Sequence, residues 1–329
     1  MADAKDIKKH SLIRNAKGRL VSQADMDEIV TIAAEMEFQE AKDADALGFA
    51  AHCMTVCTLP HSKLVGPDGK TELREYVRHN GRTHLAIQAG PSAMPGTGIS
   101  YGAYPRLGLI YLASRAKSSN TKEIELGSSL SDFLKRLGIH VTGGKRGGIT
   151  AANAQLFRLF TSSMMAWEDA GKGQLPWDSF DPFRLVERRE IWWNPMAPDQ
   201  PSLWKNTLVL TDRAFHELTQ NAVPIDLRGL QIKEIHGSAM ALDFYTWLPY
   251  RGYTAKRRTE IPWGLLRRQL GAGYPDTPRG LRNFRLNARI AIEAVLKFHR
   301  DLKVDASDED ALVISPSRKK GYLADKSAD

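Results

Sequence analysis

At 329 residues the chain is about twice the size of an ordinary domain, so two domains of about 150 residues each are the starting expectation. Its 42% hydrophobic and 26% charged residues, with 26 Gly and 16 Pro, are ordinary globular usage and exclude a fibrous or low-complexity protein. Forty-six Lys and Arg against 38 Asp and Glu leave a formal charge of +8, which favours a polyanionic partner without specifying one.

Residues 1–22 read as a flexible arm and 23–46 as a helix, with Met26, Ile29, Val30, Ala33 and Met36 at helical spacing and Asp25, Asp27 and Glu28 in the first turn. The first twenty residues lack the apolar core of a signal peptide, and no stretch approaches the roughly 20 apolar residues of a spanning helix, so a cytoplasmic protein is expected. Next come His52, Cys53, Cys57 and His61, the right residue types for zinc. A structural zinc site draws its ligands from two separated pairs, however, and no metal is expected. Residues 47–210 read as a first domain that begins with an apolar segment through Leu59 and Pro60, followed by two strand-like runs around Asn80-Gly81, a strong hairpin signal.

Two glycine-rich stretches then suggest nucleotide binding and fail. Gly96, Gly98 and Gly102 miss the dinucleotide spacing by one residue, and in TGGKRGG Arg146 stands where a phosphate loop needs Ser or Thr. No cofactor is expected.

The two halves repeat one order of elements. YPRLGLIYLASRAKS reads as a helix, KEIEL as a strand and SSLSDFLKRLG as a short helix. SAMALDFYTWLPYRG, RTEIPW and WGLLRRQLG repeat them. SDFLKRLG at 131–138 matches GLLRRQLG at 264–271, and Arg146-Gly147 falls at the same offset as Arg279-Gly280, before each third helix. A separation of 133 residues means a duplicated domain, not a solenoid. Each third helix is followed by strand-like runs: PFRLVERREIWWN and LWKNTLVLT after the first, LKVDAS and DALVISPS after the second. The expected fold is therefore α+β, two tandem winged helix-turn-helix domains behind an N-terminal helical arm. The second domain spans 211–329 with a basic C-terminal tail, and LTDRAFHELTQNAVPIDLRGLQIKEIHG reads as a helical connector at its start.

From Pro278 the second third helix places Arg279, Arg282, Arg285 and Arg289 within about a third of a turn of Arg282, opposite Leu281, Phe284, Ala288, Ala291, Ile292 and Val295. Asn283 and Asn287 flank the stripe, so the face holds the residue types that make bidentate contacts to guanine and adenine edges. Between Arg279 and Arg289 no acidic residue neutralises it. Lys256, Arg257, Arg258, Arg267 and Arg268 are expected to reach flanking phosphates. Residues 226–303 hold 15 Lys and Arg against 7 Asp and Glu, a local excess equal to that of the whole chain.

The first third helix, GITAANAQLFRLFTSSM, reads differently. Ile149, Leu156, Phe160 and Met164 form its core side, and Ala151, Ala154, Gln155, Arg158 and Ser162 an outward face with little charge. With Lys145 and Arg146 in the preceding turn and Arg158 on the helix as phosphate contacts, the first domain reads as a weaker DNA reader or a dimerisation module. Trp192, Trp193, Trp204, Tyr245, Trp247 and Tyr250 are expected in the core.

Residues 79–319, through YGAYPRLGLIYLASRA, KEIELGSSLSDFLKRLG, TGGKRGGIT, LDFYTWLPYRGYT and IPWGLLRRQLG, resemble the plasmid-encoded RepA-type replication initiators. The resemblance implies a plasmid- or nucleoid-associated protein that binds repeated double-stranded sites, iterons, at an origin. It further implies recruitment of host DnaA and the replicative helicase, and repression of its own gene as a homodimer. Catalysis is not expected. A nicking initiator needs a His-hydrophobe-His triplet, and His216, His236 and Asp243 form no constellation. A winged-helix regulator of a palindromic operator shares every residue named above and stays open as the alternative.

Overall fold

Strand β1 (Leu47–Ala50) opens the part of the chain that a computed structural model describes, residues 46–51, 58–80, 83–139, 148–168, 183–194, 197–220 and 222–317. The expected N-terminal arm and helix, and His52, Cys53 and Cys57, lie outside the described residues. The expected hairpin forms: β2 (Glu75–Asn80) and β3 (Thr83–Gln88) pair antiparallel from Glu75↔Gln88 to Asn80↔Thr83.

The repeated order of elements is present in both halves. The first has α1 (Ala103–Ser119), β4 (Glu123–Gly127), α2 (Leu130–Arg136) and α3 (Gly148–Thr161). The Ser129 hydroxyl caps α2 by accepting the Asp132 N–H, and Gly138, at φ +73°, takes the left-handed turn that ends this segment. Helix α3 stops earlier than its sequence suggests. Residues Ser163–Glu168 form strand β5, drawn into an antiparallel ladder against β3, so Met164 belongs to a strand. Strands β6 (Phe183–Arg184), β7 (Val186–Glu190) and β8 (Asn206–Leu210) complete two sheets, ordered β2-β3-β5-β6 and β4-β8-β7.

The expected helical connector is partly a strand. After α4 (Asp212–Thr219) comes β9 (Val223–Asp226), then a 3-10 turn (Leu227–Gln231) and the short α5 (Lys233–His236). Strand β9 pairs antiparallel with β1, because the apolar Val223 and Ile225 bury against it. The second half has α6 (Ala239–Thr254), β10 (Thr259–Pro262), α7 (Trp263–Leu270), α8 (Pro278–Phe298), β11 (Lys303–Asp305) and β12 (Ala311–Ser315), with its sheet ordered β10-β12-β11. Among the described residues this is a mixed α/β chain of eight helices and small sheets.

One apolar core runs through both halves, with Phe133 and Leu134 in the first and Tyr245, Trp247, Trp263 and Phe284 in the second. A buried ion pair joins the halves across it. The Arg106 guanidinium on α1 donates to both carboxylate oxygens of Asp243 on α6 at 2.7 and 2.9 Å, and to the carbonyls of Leu59 (2.6 Å), Pro60 (3.2 Å) and Gly102 (2.7 Å). His61 Nε2 meets the same carboxylate at 2.8 Å, and burial holds its pKa below the ordinary value. Arg106 is fully buried, so every donor must find an acceptor here. Asp243 and His61, the one described member of the suspected zinc cluster, thus serve this junction.

Candidate nucleic-acid interface

Helix α8 is seated by its first turn. Thr277 caps it by accepting the Gly280 N–H at 3.0 Å, and Pro278 supplies the fixed φ of a first helical residue. Gly280 packs on the Pro275 carbonyl, whose oxygen leaves no room for a Cβ. Phe284, Ala288, Ala291, Ile292 and Val295 then bury one face as expected, while Leu281 is half-buried. At about 100° per residue the outward face has a crest at Arg282 and Leu286, a flank with Arg279 and Asn283, and an opposite flank with Arg285 and Arg289.

The two flanks differ. Arg279, Arg282 and Asn283 are exposed, and neither arginine has an ion-pair or hydrogen-bond partner among the described residues. Leu286 beside them is 61% exposed. Arg285 and Arg289 are instead held by the loop between β11 and β12. Arg289 donates from Nε to the Ala306 carbonyl at 2.7 Å and from Nη2 to the carbonyls of Ser307 (2.9 Å) and Asp308 (2.8 Å). Its guanidinium also lies over the Trp263 ring, 5.8 Å from the centroid. Arg285 donates to the Glu309 carbonyl at 2.5 Å, and both arginines pair with the Glu309 carboxylate. The sequence-level stripe of four equivalent arginines thus divides into two pairs. Sequence reasoning put a strand turn around Asp308-Glu309-Asp310 but missed its pairing with α8, because these carboxylates begin just past the basic segment that ends at Lys303.

The neighbouring cations also sort themselves. Lys256, Arg257, Arg258 and Arg268 are exposed, Arg258 pairing with Glu260 at 2.8 Å. Arg267 is not available: it is buried, donates to the Tyr274 carbonyl at 2.9 Å and pairs with Asp276. The one-residue step from Arg267 to Arg268 on α7 turns the side chain from inside to outside. Asn287 is likewise committed, donating to the Tyr274 hydroxyl at 2.8 Å.

In the first half, α3 has little free surface. Thr150, Ala151 and Ala154 are exposed. Gln155, expected outward, is buried and accepts the Tyr101 N–H at 2.8 Å, and Ser162 is buried at the helix end. Arg158 pairs with Glu72 at 2.5 Å and donates to the Ile99 carbonyl, so the 91–101 loop lies over this side of the helix. Lys145 and Arg146 lie outside the described residues. Among the aromatics, Trp193, Tyr245 and Trp247 are buried as expected, and Tyr250 is half-buried. Trp192 and Trp204 are 55% and 63% exposed in the long β7–β8 connection, outside the strands the sequence suggests, with their ring centroids 5.3 Å apart. Trp192 and Trp193 help line a cleft of about 410 Å³ with Phe157 of α3 and Arg189. Arg189 lies over Phe157, 4.6 Å from the ring centroid.

Residues 99–262 match the family described as plasmid encoded RepA protein, and the chain belongs to this family of plasmid replication proteins. The matched span runs from the loop before α1 to the end of β10, so α8 lies beyond it. Two crystal structures of RctB are similar to this chain. One, of selenomethionine derivatives of domains 2 and 3, is 12% identical at a TM-score of 0.46, covering 82% of this chain and 97% of that one. The other, of domains 2–3, is 13% identical at 0.44, covering 77% and 95%. No curated protein sequence matches the chain. No described helix is long and apolar enough to cross a membrane, and no group of three or more metal-ligating side chains occurs among the described residues.

Proposed function

We propose that this protein is a plasmid replication initiator that binds repeated sites in duplex DNA, with α8 as its main reading element. In this reading each half is a winged helix-turn-helix unit, α1-β4-α2-α3-β7-β8 and α6-β10-α7-α8-β11-β12, and the third helix of the second unit enters the major groove. The observation that carries it is the exposed trio Arg279, Arg282 and Asn283, unpaired among the described residues, on the N-terminal half of a capped helix. These are the side chains that fit guanine and adenine edges, and their position leads with the helix end that DNA-reading helices present. Lys256, Arg257, Arg258 and Arg268 supply phosphate contacts and the salt-dependent part of affinity. Arg285 and Arg289 set the position of the wing, and Arg267 braces α7.

Under this reading the first unit contributes dimerisation or a weaker DNA contact. The protein carries out no catalysis, works in the cytoplasm on plasmid DNA, delivers host DnaA and helicase to the origin, and represses its own gene. Footprinting on the DNA that adjoins the gene is the test. Protection of tandem direct repeats spaced by about two helical turns is the expected result. Protection of a single palindrome would make the protein an operator-binding regulator instead.

A further inference from the structure

A cationic helix face beside DNA is ordinarily flanked by cationic or neutral loops, because every carboxylate near a phosphate weakens binding. Here the loop that closes on α8 carries four carboxylates in six residues, Asp305 to Asp310. Their roles differ. Asp305 and Asp308 hold the loop's own turns, accepting from the Ser307 N–H at 2.8 Å and from the Asp310 and Ala311 N–H groups at 2.7 and 3.1 Å. The loop is also anchored without any carboxylate, by Arg289 on three carbonyls and by Trp263 donating from its indole to the Asp308 carbonyl and from its backbone to the Asp310 carbonyl, both at 3.0 Å.

The Glu309 carboxylate is therefore more than the anchor needs. It is 66% exposed and pairs with Arg285 and Arg289, themselves 25% and 30% exposed, on the flank of the crest residue Arg282. The Asp310 side chain is exposed and makes no hydrogen bond among the described residues.

We infer that the 305–310 loop is a specificity filter: Glu309, helped by Asp310, competes with DNA phosphate for Arg285 and Arg289 and so lowers affinity for any duplex more than for the correct one. The inference rests on α8 being the DNA-reading helix. Its physical basis is that random duplex is held almost wholly by phosphate contacts and must draw on Arg285 and Arg289 for them, whereas at the correct site base-edge contacts from Arg279, Arg282 and Asn283 hold α8 while those two arginines stay on Glu309. A carboxylate already seated on two arginines acts as a tethered counterion. Phosphate must displace it, and fewer free counterions are released on binding. Discrimination is obtained by penalising the wrong partner as well as by fitting the right one.

The test uses the full chain carrying Glu309→Gln, which keeps the size and hydrogen-bonding oxygen of the side chain and removes its charge. Binding to the footprinted target and to a random duplex of equal length is measured across a salt series, with thermal melting alongside. The variant is expected to bind random duplex about threefold to tenfold tighter, to gain less on the target, and to steepen the salt dependence by about one to two released ions. Unchanged or weaker binding to random duplex, at an unchanged melting temperature, overturns the filter and leaves the loop as a strut. Should Glu309→Gln melt lower, Asp310→Asn decides: a smaller shift in the same direction supports the filter, and no shift overturns it. If the wild-type chain binds no duplex, the assignment of α8 itself has failed, a result distinct from either outcome.

Discussion

Helices α3 and α8 hold the same place in the repeated order, third after a helix, a strand and a short helix, yet they present opposite surfaces. The 91–101 loop and Glu72, in the segment before β2, lie against α3, so its Gln155 and Arg158 are absorbed into bonds with Tyr101, Ile99 and Glu72, leaving small uncharged residues outside. On α8 Arg279, Arg282, Asn283 and Leu286 stay in solvent. The strand connections that follow diverge in the same sense. The first half has a long connection with Trp192 and Trp204 exposed, and the second a short acidic loop clamped to its own helix. The order of elements is shared, and what packs against the third helix decides whether its polar residues become internal ties or a free surface.

The largest effect is expected at α8. Replacing Arg279 and Arg282 together with Ala is expected to cost about 1–3 kcal/mol of target affinity for each arginine, with the melting temperature unchanged because neither has an internal partner. A titration by fluorescence anisotropy checks this, and unaltered affinity would remove α8 from the interface. The relation between the two units depends next on Arg106. Arg106→Ala strands the Asp243 carboxylate in the core and is expected to lower stability by about 3–5 kcal/mol in urea unfolding; a loss under 1 kcal/mol would mean that the buried pair does not hold the halves together.

Acid tests the second unit through His299, whose pKa burial lowers from 6.5 to about 4. The unfolded chain takes up this proton as pH falls below about 6.5 and the native chain only near 4. Its contribution is therefore fully present above pH 6.5 and lost progressively towards pH 4, by about 3 kcal/mol at most. The buried His61 acts in the same direction. Urea midpoints that stay flat between pH 7 and 4.5 would contradict the burial. The smallest effect sharpens the comparison itself. A glutamate at Asn283 is expected to weaken target binding by about tenfold, and one at Ala154 by less than about threefold, since the proposed reading puts the first at base edges and the second sits on a helix with little free cationic surface. Equal losses would make α3 a second reader.

Much of the local structure was legible in the sequence because it depends on neighbours in the chain. The Asn-Gly hairpin, the start of α8 at Pro278, its buried stripe from Phe284 to Val295 and the three strands of the second half follow from period and turn chemistry. The strand within the connector and the early end of α3 did not follow, because Val223–Asp226 and Ser163–Glu168 are strands by virtue of β1 and β3, more than 70 residues away in sequence. Among the site residues, exposure of Arg279 and Arg282 matched the helical wheel. The fates of Arg267, Arg285, Arg289, Asn287 and Arg158 turned on acceptors supplied by other segments, Asp276, Glu309, the 306–308 carbonyls, Tyr274 and Glu72.

The amino-acid sequence alone fixes a recurring order of helices and strands and one helix with an apolar face and a cationic face, because hydrophobic period and residue charge are properties of the chain. Which of those cations remain free was settled by the tertiary structure alone. A guanidinium beside a carboxylate or a row of carbonyls gives up its solvent for them, and only the folded chain brings those oxygens within reach.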